Sequence, residues 1–353
     1  MGSRNLPKHL LYSIFARIGG TGLDTDAFET LRASHKGGFL GKAVAYDNRQ
    51  SEIPAARIHS LRWHPVRLLS SLESPYYYGA KKKYLDWIAA RQLATGRYDM
   101  FHSWSGDCLL SLRQAHKRGI PSVLEIPTWH RDRGKIKRPP TVALSTEPEM
   151  PWRKRWKEDL LLDRERYLEE YDLANLILVL SEKAASTFRV QGFPEEKLFY
   201  LPRGVDVERF KPGQRPPHFR AVFSGALIER KGVHHLLMAW RKLNLKNAEL
   251  WLVGSVHGEM KPYLEKLAGD DVKVVGFARE PEKYLRQSTV HVFPSQCEGS
   301  AKVTYEAAAC VLPQITTREA GDVVQDGVEG IIVEPGDIDA LAGAIQHLYD
   351  HPE

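Results

Sequence analysis

The sequence predicts an α/β protein of two doubly wound, parallel-sheet domains. Three observations predict it. Short unbroken apolar runs alternate with longer amphipathic stretches, the mark of strands buried on both faces with helices between them. The alternation runs through once, stops, and starts again. Between the two series lies PRGVDVERFKPGQRPPH, residues 202–218, rich in Pro and Gly and without periodicity. A boundary within that stretch gives domains of 1–205 and 206–353.

Taken in order, HLLYSIFA (9–16) reads as a buried strand, 19–24 as a glycine-rich turn, and 26–34 as a helix. An apolar run at 39–46 is the second strand. YDMFHS (98–103) and SVLEI (122–126) are strands joined by a helix at 106–118, and LANLILVLS (173–181) is a further buried strand. The second series has strands at 219–225, 249–254, 272–277, 290–294 and 331–333. Its helices are expected at 233–243, 262–268, 280–287, 301–309 and 338–349. Two such domains on one linker form a cleft, and ligands bind where the carboxyl ends of parallel strands meet it.

Composition removes several classes. The 353 residues carry 42% hydrophobic and 27% charged residues, which excludes wholesale disorder. Lys and Arg exceed Asp and Glu by 50 to 44, a surplus of +6 too small to announce a nucleic-acid binder. Three cysteines, Cys108, Cys297 and Cys310, are too few and too irregular for a disulfide framework or a cysteine zinc site, and fit a reducing cytosol. No run approaches the ~20 apolar residues of a membrane span, and no signal peptide is read at the amino terminus. His234 and His235 are adjacent, not spaced on one helix face, and no metal is expected.

The strongest constellation is VHVFPSQCEGSAKVTYEAAAC, 290–310. A strand ends near Pro294, a loop carries Glu298, and Gly299 and Ser300 are expected to open the helix that holds Glu306. Free amides and the positive dipole of a helix start suit Gly299, Ser300 and Ala301 to a diphosphate, with Ser300 able to cap. At ~1.5 Å per residue the two carboxylates lie about 12 Å apart along the helix. That exceeds the roughly 5–9.5 Å of a glycosidase pair. It suits one extended ligand: a sugar at Glu298, phosphates over Gly299–Lys302, a ribose at Glu306. Spacing alone equally allows two unrelated glutamates.

Glu298-x7-Glu306, with FPS before it and EAAACVLPQITT after it, resembles the signature of the family 4 glycosyltransferases. DVVQDGVEGIIVEPGD (322–337), LPRGVDVERFKP (201–212) and SGALIERKG (224–232) fall in family order around it. The resemblance implies a GT-B fold, two Rossmann-like domains facing across a cleft. The first would hold the acceptor and the second a nucleotide sugar, UDP- or GDP-linked, as co-substrate, with no other cofactor. It implies retaining transfer of a hexose-type sugar to a glycan or lipid-linked acceptor in the cytoplasm. Lys231 then neutralises the donor diphosphate, Glu298 meets the donor sugar, Glu306 holds both ribose hydroxyls, and Gly276 and Phe277 lie where the base docks. Gly19 and Gly20 lie at the phosphate edge of the first domain, and His102, ending its strand in a D-x-x-H segment, faces the transferred sugar. Glu125 and His130 are candidates for the acceptor side.

The chain departs from the family pattern in places. Ala226 stands where an arginine is usual, with Arg230 as a substitute, and Val311 replaces a common turn glycine. The carboxyl end lacks the further helical segment expected of relatives. An epimerase or hydrolase of the same fold, or a scaffold with weakened turnover, is the alternative reading. Residues 57–97 hold eight Lys or Arg against Glu73 and Asp86, interleaved with Trp63, Tyr76, Tyr77, Tyr78, Tyr84 and Trp87. Leu68, Leu69 and Leu72 are expected on one helix face. This stretch suits peripheral contact with an anionic inner leaflet. A second basic run, 131–138, is a candidate for a phosphorylated acceptor.

Overall fold

A computed structural model describes residues 7–20, 22–61, 64–71, 74–131 and 166–351. The expected basic run at 131–138 therefore lies, beyond Arg131, outside the described residues, as do Trp63, Leu72 and Glu73.

The chain forms two compact units. One comprises Met1–Ile126, Val142–Leu178 and Pro194–Phe199; the other comprises Pro127–Thr141, Val179–Phe193 and Tyr200–Glu353. The first sheet has seven strands: β1 (Leu10–Ile18), β2 (Leu40–Asn48), β3 (Ile58–Ser60), β4 (Met100–Trp104), β5 (Ser122–Glu125), β6 (Leu176–Val179) and β7 (Leu198–Tyr200). Their order is β3-β2-β1-β4-β5-β6-β7, the reversal beside β1 of a doubly wound sheet. The pairings from β3 to β6 are parallel. Helices α1 (Leu23–Lys36), α2 (Ser74–Ala94), α3 (Leu109–Lys117) and α4 (Arg166–Leu173) accompany this sheet. Tyr12, Ile14, Ile18, Leu31 and Ala43 form its dry core, as fully apolar inner strands require.

Two buried carboxylates fasten α3. Glu170 accepts from the Gly106 amide at 2.6 Å and from the Cys108 amide at 3.3 Å. Asp86 accepts from the Leu110 amide at 2.7 Å and the Ser111 amide at 2.9 Å. These are amides that a helix start cannot satisfy internally. Burial pushes Asp86 up to about 6 and Glu170 up to about 7, against the lowering effect of those same bonds.

The short helix α5 (Glu182–Arg189), capped by Ser181, belongs to the second unit. That unit holds the second sheet: β8 (Phe219–Ser224), β9 (Ala248–Val253), β10 (Val272–Gly276), β11 (Val290–Phe293), β12 (Gln314–Thr316) and β13 (Gly330–Ile332). The order β10-β9-β8-β11-β12-β13 is parallel throughout. Helices α6 (Val233–Leu243), α7 (Lys261–Leu267), α8 (Glu282–Leu285), α9 (Lys302–Ala309) and α10 (Ile338–Asp350) complete it. Phe223, Leu236, Trp240, Leu252, Phe293 and Ile345 are its core.

Three expectations are corrected. The helix after Glu298 starts at Lys302, with Ala301 at its N-cap and Gly299 and Ser300 still in the preceding loop. The segment 280–287 shrinks to the single turn of α8, because Pro281 stands at its N-cap and leaves room for one turn before β11. Leu68 and Leu69 do not share an α-helical face: they lie at the end of a 3₁₀ turn, Pro65–Leu69, and Leu68 is 88% exposed. All three cysteines are buried and free of disulfides. Among the described residues no helix is long and apolar enough to cross a membrane.

Candidate functional site

The site lies in the second unit, at the carboxyl ends of β8 and β11. The chain leaves β8 through Gly225 at φ 138°, and Gly254, leaving β9, has φ 153°. A Cβ on Gly254 would stand 1.7 Å from the Gly225 carbonyl oxygen, so only glycine lets these loops meet. A 3₁₀ turn, Glu229–Lys231, carries the chain to Gly232 at φ 70°, whose Cβ would meet the Pro294 carbonyl oxygen at 2.0 Å. This glycine seats the cationic turn against the end of β11. Gln296 N donates to the Arg230 carbonyl at 2.9 Å, which fixes the two loops together.

Here three charged residues converge. Glu298 Oε1 lies 3.0 Å from Arg230 Nη1 and 3.7 Å from Lys231 Nζ. Ser295 Oγ donates to the same oxygen at 3.4 Å. Oε2 makes no hydrogen bond among the described residues, which leaves it to accept from a ligand hydroxyl. The Lys231 ammonium lies over the Phe293 ring, 5.2 Å from its centre, and 3.2 Å from where a Cβ on Gly225 would be. Burial lowers its pKa; Glu298 opposes that, Arg230 adds to it, and Glu306 also acts to raise it. Thus both glutamates of the motif act on Lys231. Arg230 does stand beside Glu298, whereas Ala226 supplies only a half-buried methyl.

The loop before α9 is held from several sides. Glu298 N donates to the Glu319 carbonyl at 2.9 Å and Ala301 N to the Ala320 carbonyl at 2.7 Å. Ala301 is therefore not a phosphate donor as expected: its amide is committed. Nor does Ser300 cap the helix. Its hydroxyl shares a hydrogen bond with Tyr305 Oη at 3.0 Å. The amides of Gly299 and Ser300, between these anchors, have no acceptor among the described residues. Buried N–H groups left without a partner are rare. Gly299 packs on Pro127, whose carbonyl oxygen would be 2.2 Å from an added Cβ. Lys302 opens the helix, and Glu306, 9% exposed, lies one turn on.

Sequence reasoning assigned no role to Arg203, Arg209, Lys183 or Tyr305. Arg203 Nε donates to the Ser300 carbonyl at 2.8 Å, and its amide to Tyr305 Oη at 3.3 Å. Arg209, paired to Glu282 at 2.9 Å, also feels Glu306. Both arginines stand in the motif LPRGVDVERFKP, so the signal was present but its contacts were 97 and 73 residues away. Lys183 pairs with Glu319 at 2.8 Å. At the end of β10, Gly276 has φ 80° and Phe277 is 66% exposed, an aromatic face open to a base.

The remaining candidates, Gly19, Gly20, His102 and Glu125, belong to the first unit, and His130 to the second. Gly19 has φ 86°, and a Cβ there would press on Gln50 at 3.0 Å; one on Gly20 would strike Asp24 at 2.4 Å. His102 Nε2 lies 3.5 Å from Glu125 Oε2, with the Tyr12 ring edge-on at 5.0 Å. His130 is buried against Phe188 and Phe193, so of the two acceptor-side candidates it is a core residue.

In the second unit a cationic turn thus faces a loop glutamate at the carboxyl ends of parallel strands. Residues 43–209 match the Glycosyltransferase Family 4 profile and residues 218–351 match Glycosyl transferases group 1. The chain belongs to the glycosyltransferases built from these two halves. It is similar to the capsular polysaccharide biosynthesis glycosyltransferase CapM of Staphylococcus aureus, 32% identical over 37% of each chain. It is also similar to the MMP alpha-(1->4)-mannosyltransferase of Mycolicibacterium hassiacum, 27% identical over 75% of this chain and 65% of that one. The matches thus span from about a third to just under two thirds of these relatives' length. The fold is GT-B. Sucrose-phosphate synthase from Thermosynechococcus elongatus superposes with a TM-score of 0.70 at 17% identity, over 98% of this chain and 90% of that one. Anabaena HepE, solved in complex with UDP-glucose, superposes with a TM-score of 0.64 at 16% identity, over 96% and 89%.

Proposed function

We propose that the protein is a retaining glycosyltransferase that moves a hexose-type sugar from a UDP- or GDP-linked donor to a glycan or lipid-linked acceptor. The observation that carries the reading is the convergence of Arg230 and Lys231 on Glu298 beside the unpartnered amides of Gly299 and Ser300. Departure of the nucleotide deposits negative charge on the diphosphate, and preorganised cations and amides stabilise charge that develops there. In same-face substitution the leaving diphosphate accepts the acceptor hydroxyl's proton, so no side chain need be a strong base. Glu298 would orient the sugar through Oε2 and Glu306 would take the ribose hydroxyls, since one carboxylate accepts two O–H donors. Phe277 would stack on the base. Gly19, Gly20 and His102 would serve from the first unit.

The relatives support sugar transfer with either nucleotide. Mycolicibacterium smegmatis contributes a GDP-mannose-dependent phosphatidylinositol monomannoside mannosyltransferase, 29% identical over 51% of this chain, and HepE was solved with UDP-glucose. A cytoplasmic location with peripheral contact to an anionic membrane through 57–97 belongs to the same reading. It is supported by the exposed Leu68 and by Arg91 lying 4.8 Å over the half-exposed Trp87 ring. The test is a panel of UDP and GDP sugars read by thermal shift, followed by transfer to candidate acceptors with the product anomer assigned by NMR. One donor should stabilise the protein above the rest, and Glu306→Ala should abolish that shift. Product formed without any acceptor would favour an epimerase or hydrolase instead.

A further inference from the structure

The first unit contains a cavity of about 520 Å³ at the carboxyl ends of β1 and β2. Arg17 from β1, Asp47 from β2, Arg49 just after it, and His64, Arg67 and Tyr77 from the following segment line it. It is built into the fold. Arg49 N donates to the Ile18 carbonyl at 2.8 Å, and Gly19, in the left-handed region, lets the two loops close on each other. Asp47 takes Arg49 Nε at 2.9 Å, and among the described residues no other carboxylate lines the cavity. Among the described residues three guanidiniums and one carboxylate therefore line it.

Behind the wall stands a fourth cation. Lys81 is 7% exposed, and its ammonium lies 4.5 Å from the Tyr77 ring centre and 4.6 Å from that of Tyr46. Among the described residues it donates to Tyr46 Oη alone, at 3.3 Å. Among the described residues neither Lys81 nor Arg17 has a carboxylate within salt-bridge distance. A buried ammonium without an anion is costly, and aromatic faces offset only part of that cost. A dianion in front of Tyr46 and Tyr77 would supply what the protein omits. Guanidinium forks match the planar edge of a phosphate, and a phosphate monoester carries close to two negative charges.

We propose that this cavity receives a phosphate ester borne by the acceptor, held by Arg17, Arg49 and Arg67 in front of the buried Lys81 ammonium. The assignment rests on the glycosyltransferase reading for the word acceptor, and on this cavity alone for the phosphate.

The test is calorimetric titration of the full chain with glycerol 3-phosphate and with UDP and GDP, for the wild type, Arg17→Ala and Arg67→Ala, both at exposed positions. Co-sedimentation with vesicles containing phosphatidic acid, a lipid phosphate monoester, forms a parallel arm, with phosphatidylcholine vesicles as control. Each variant should weaken glycerol 3-phosphate or vesicle binding by about tenfold, as expected for one hydrogen bond to a charged group. UDP affinity should be unchanged. Arginine-dependent binding of glycerol 3-phosphate identifies a free phosphate ester, and arginine-dependent binding of vesicles alone identifies a lipid headgroup. Binding of neither, or binding indifferent to both arginines, overturns the proposal. Failure of the wild type to bind UDP or GDP would remove the transferase reading while leaving the phosphate result to stand by itself.

Discussion

Glu298 is held by the cations that a donor diphosphate would need, and this makes its removal informative. In Glu298→Gln the charge is lost but the shape remains. Arg230 and Lys231, at 3.0 and 3.7 Å, then lose their nearest counter-charge, and Glu306 acts on Lys231 only as a weaker influence. Breaking a fully buried pair costs roughly 3–5 kcal/mol. The Arg230 side chain is 38% exposed, so screening reduces the figure to about 1–2 kcal/mol of stability. Because Glu298 is the largest influence raising Lys231, the lysine pKa falls further in the variant. A diphosphate can replace the missing charge. UDP or GDP should therefore bind Glu298→Gln at least as tightly as the wild type, and ligand should restore the lost thermal stability. Transfer should nevertheless fall by about two orders of magnitude, since an oriented hydrogen bond to the reacting sugar is lost. Lys231→Ala should lose nucleotide binding and turnover together. The assay is nucleotide titration by calorimetry beside initial rates of transfer. If Glu298→Gln loses nucleotide binding as Lys231→Ala does, Glu298 holds the phosphate loop and does not serve the sugar, and the assignment is wrong.

Three further outcomes follow from single positions. Val311 sits at φ 57° just after α9, with Val311 N donating to the Ala308 carbonyl and Leu312 N to Ala307, the helix-ending pattern that favours glycine there. Left-handed backbone costs a side chain about 1–2 kcal/mol, and unfolded-state freedom of glycine returns about half; Val311→Gly should stabilise by roughly 0.5–1 kcal/mol, and a lowered melting temperature would contradict this. Asp86 and Glu170, raised to about 6 and about 7 from 3.8 and 4.5, bind protons more tightly when folded, so their contribution is full below about pH 4 and is lost as pH rises toward 7. Melting between pH 4.5 and 7.5 should flatten in Glu170→Gln, and an unaltered slope would sink that account. Phe277→Ala should weaken nucleotide binding by about five- to a hundredfold, the loss of one base–aromatic stack, and leave melting unchanged without ligand; equal affinity for the nucleotide would remove Phe277 from the site.

Legibility followed sequence distance and polarity. The approach of Lys231 to Glu298, and the helix that carries Glu306, were legible because each lies on a short local motif following a strand, where a few contiguous residues fix the backbone. β12 was missed because QIT looks polar, yet its residues are fully buried: Gln314 binds His291 at 3.0 Å and the Thr304 carbonyl at 2.9 Å, and Thr316 binds the Phe293 carbonyl at 3.0 Å. Polar groups can replace apolar ones in a core strand when every one is satisfied, and no hydropathy pattern shows that. The helix α2 was hidden for a related reason. Lys81, Leu85, Ile88 and Leu93 line one buried stripe, but a lysine and the neighbouring buried Asp86 break the apolar signal. Those two residues do work that only the fold reveals, one fastening α3 and the other standing behind the arginine cavity. The same residues that obscured the helix as a helix therefore mark where the first unit spends stability on charge. A stretch that read as a basic membrane face is, at Lys81 and Tyr76, part of the interior. Of its eight cations, Arg67 lines the cavity beside β1 and β2 and Lys81 stands behind it, while Arg91 lies over the half-exposed Trp87, so the stretch divides between an inward and an outward face.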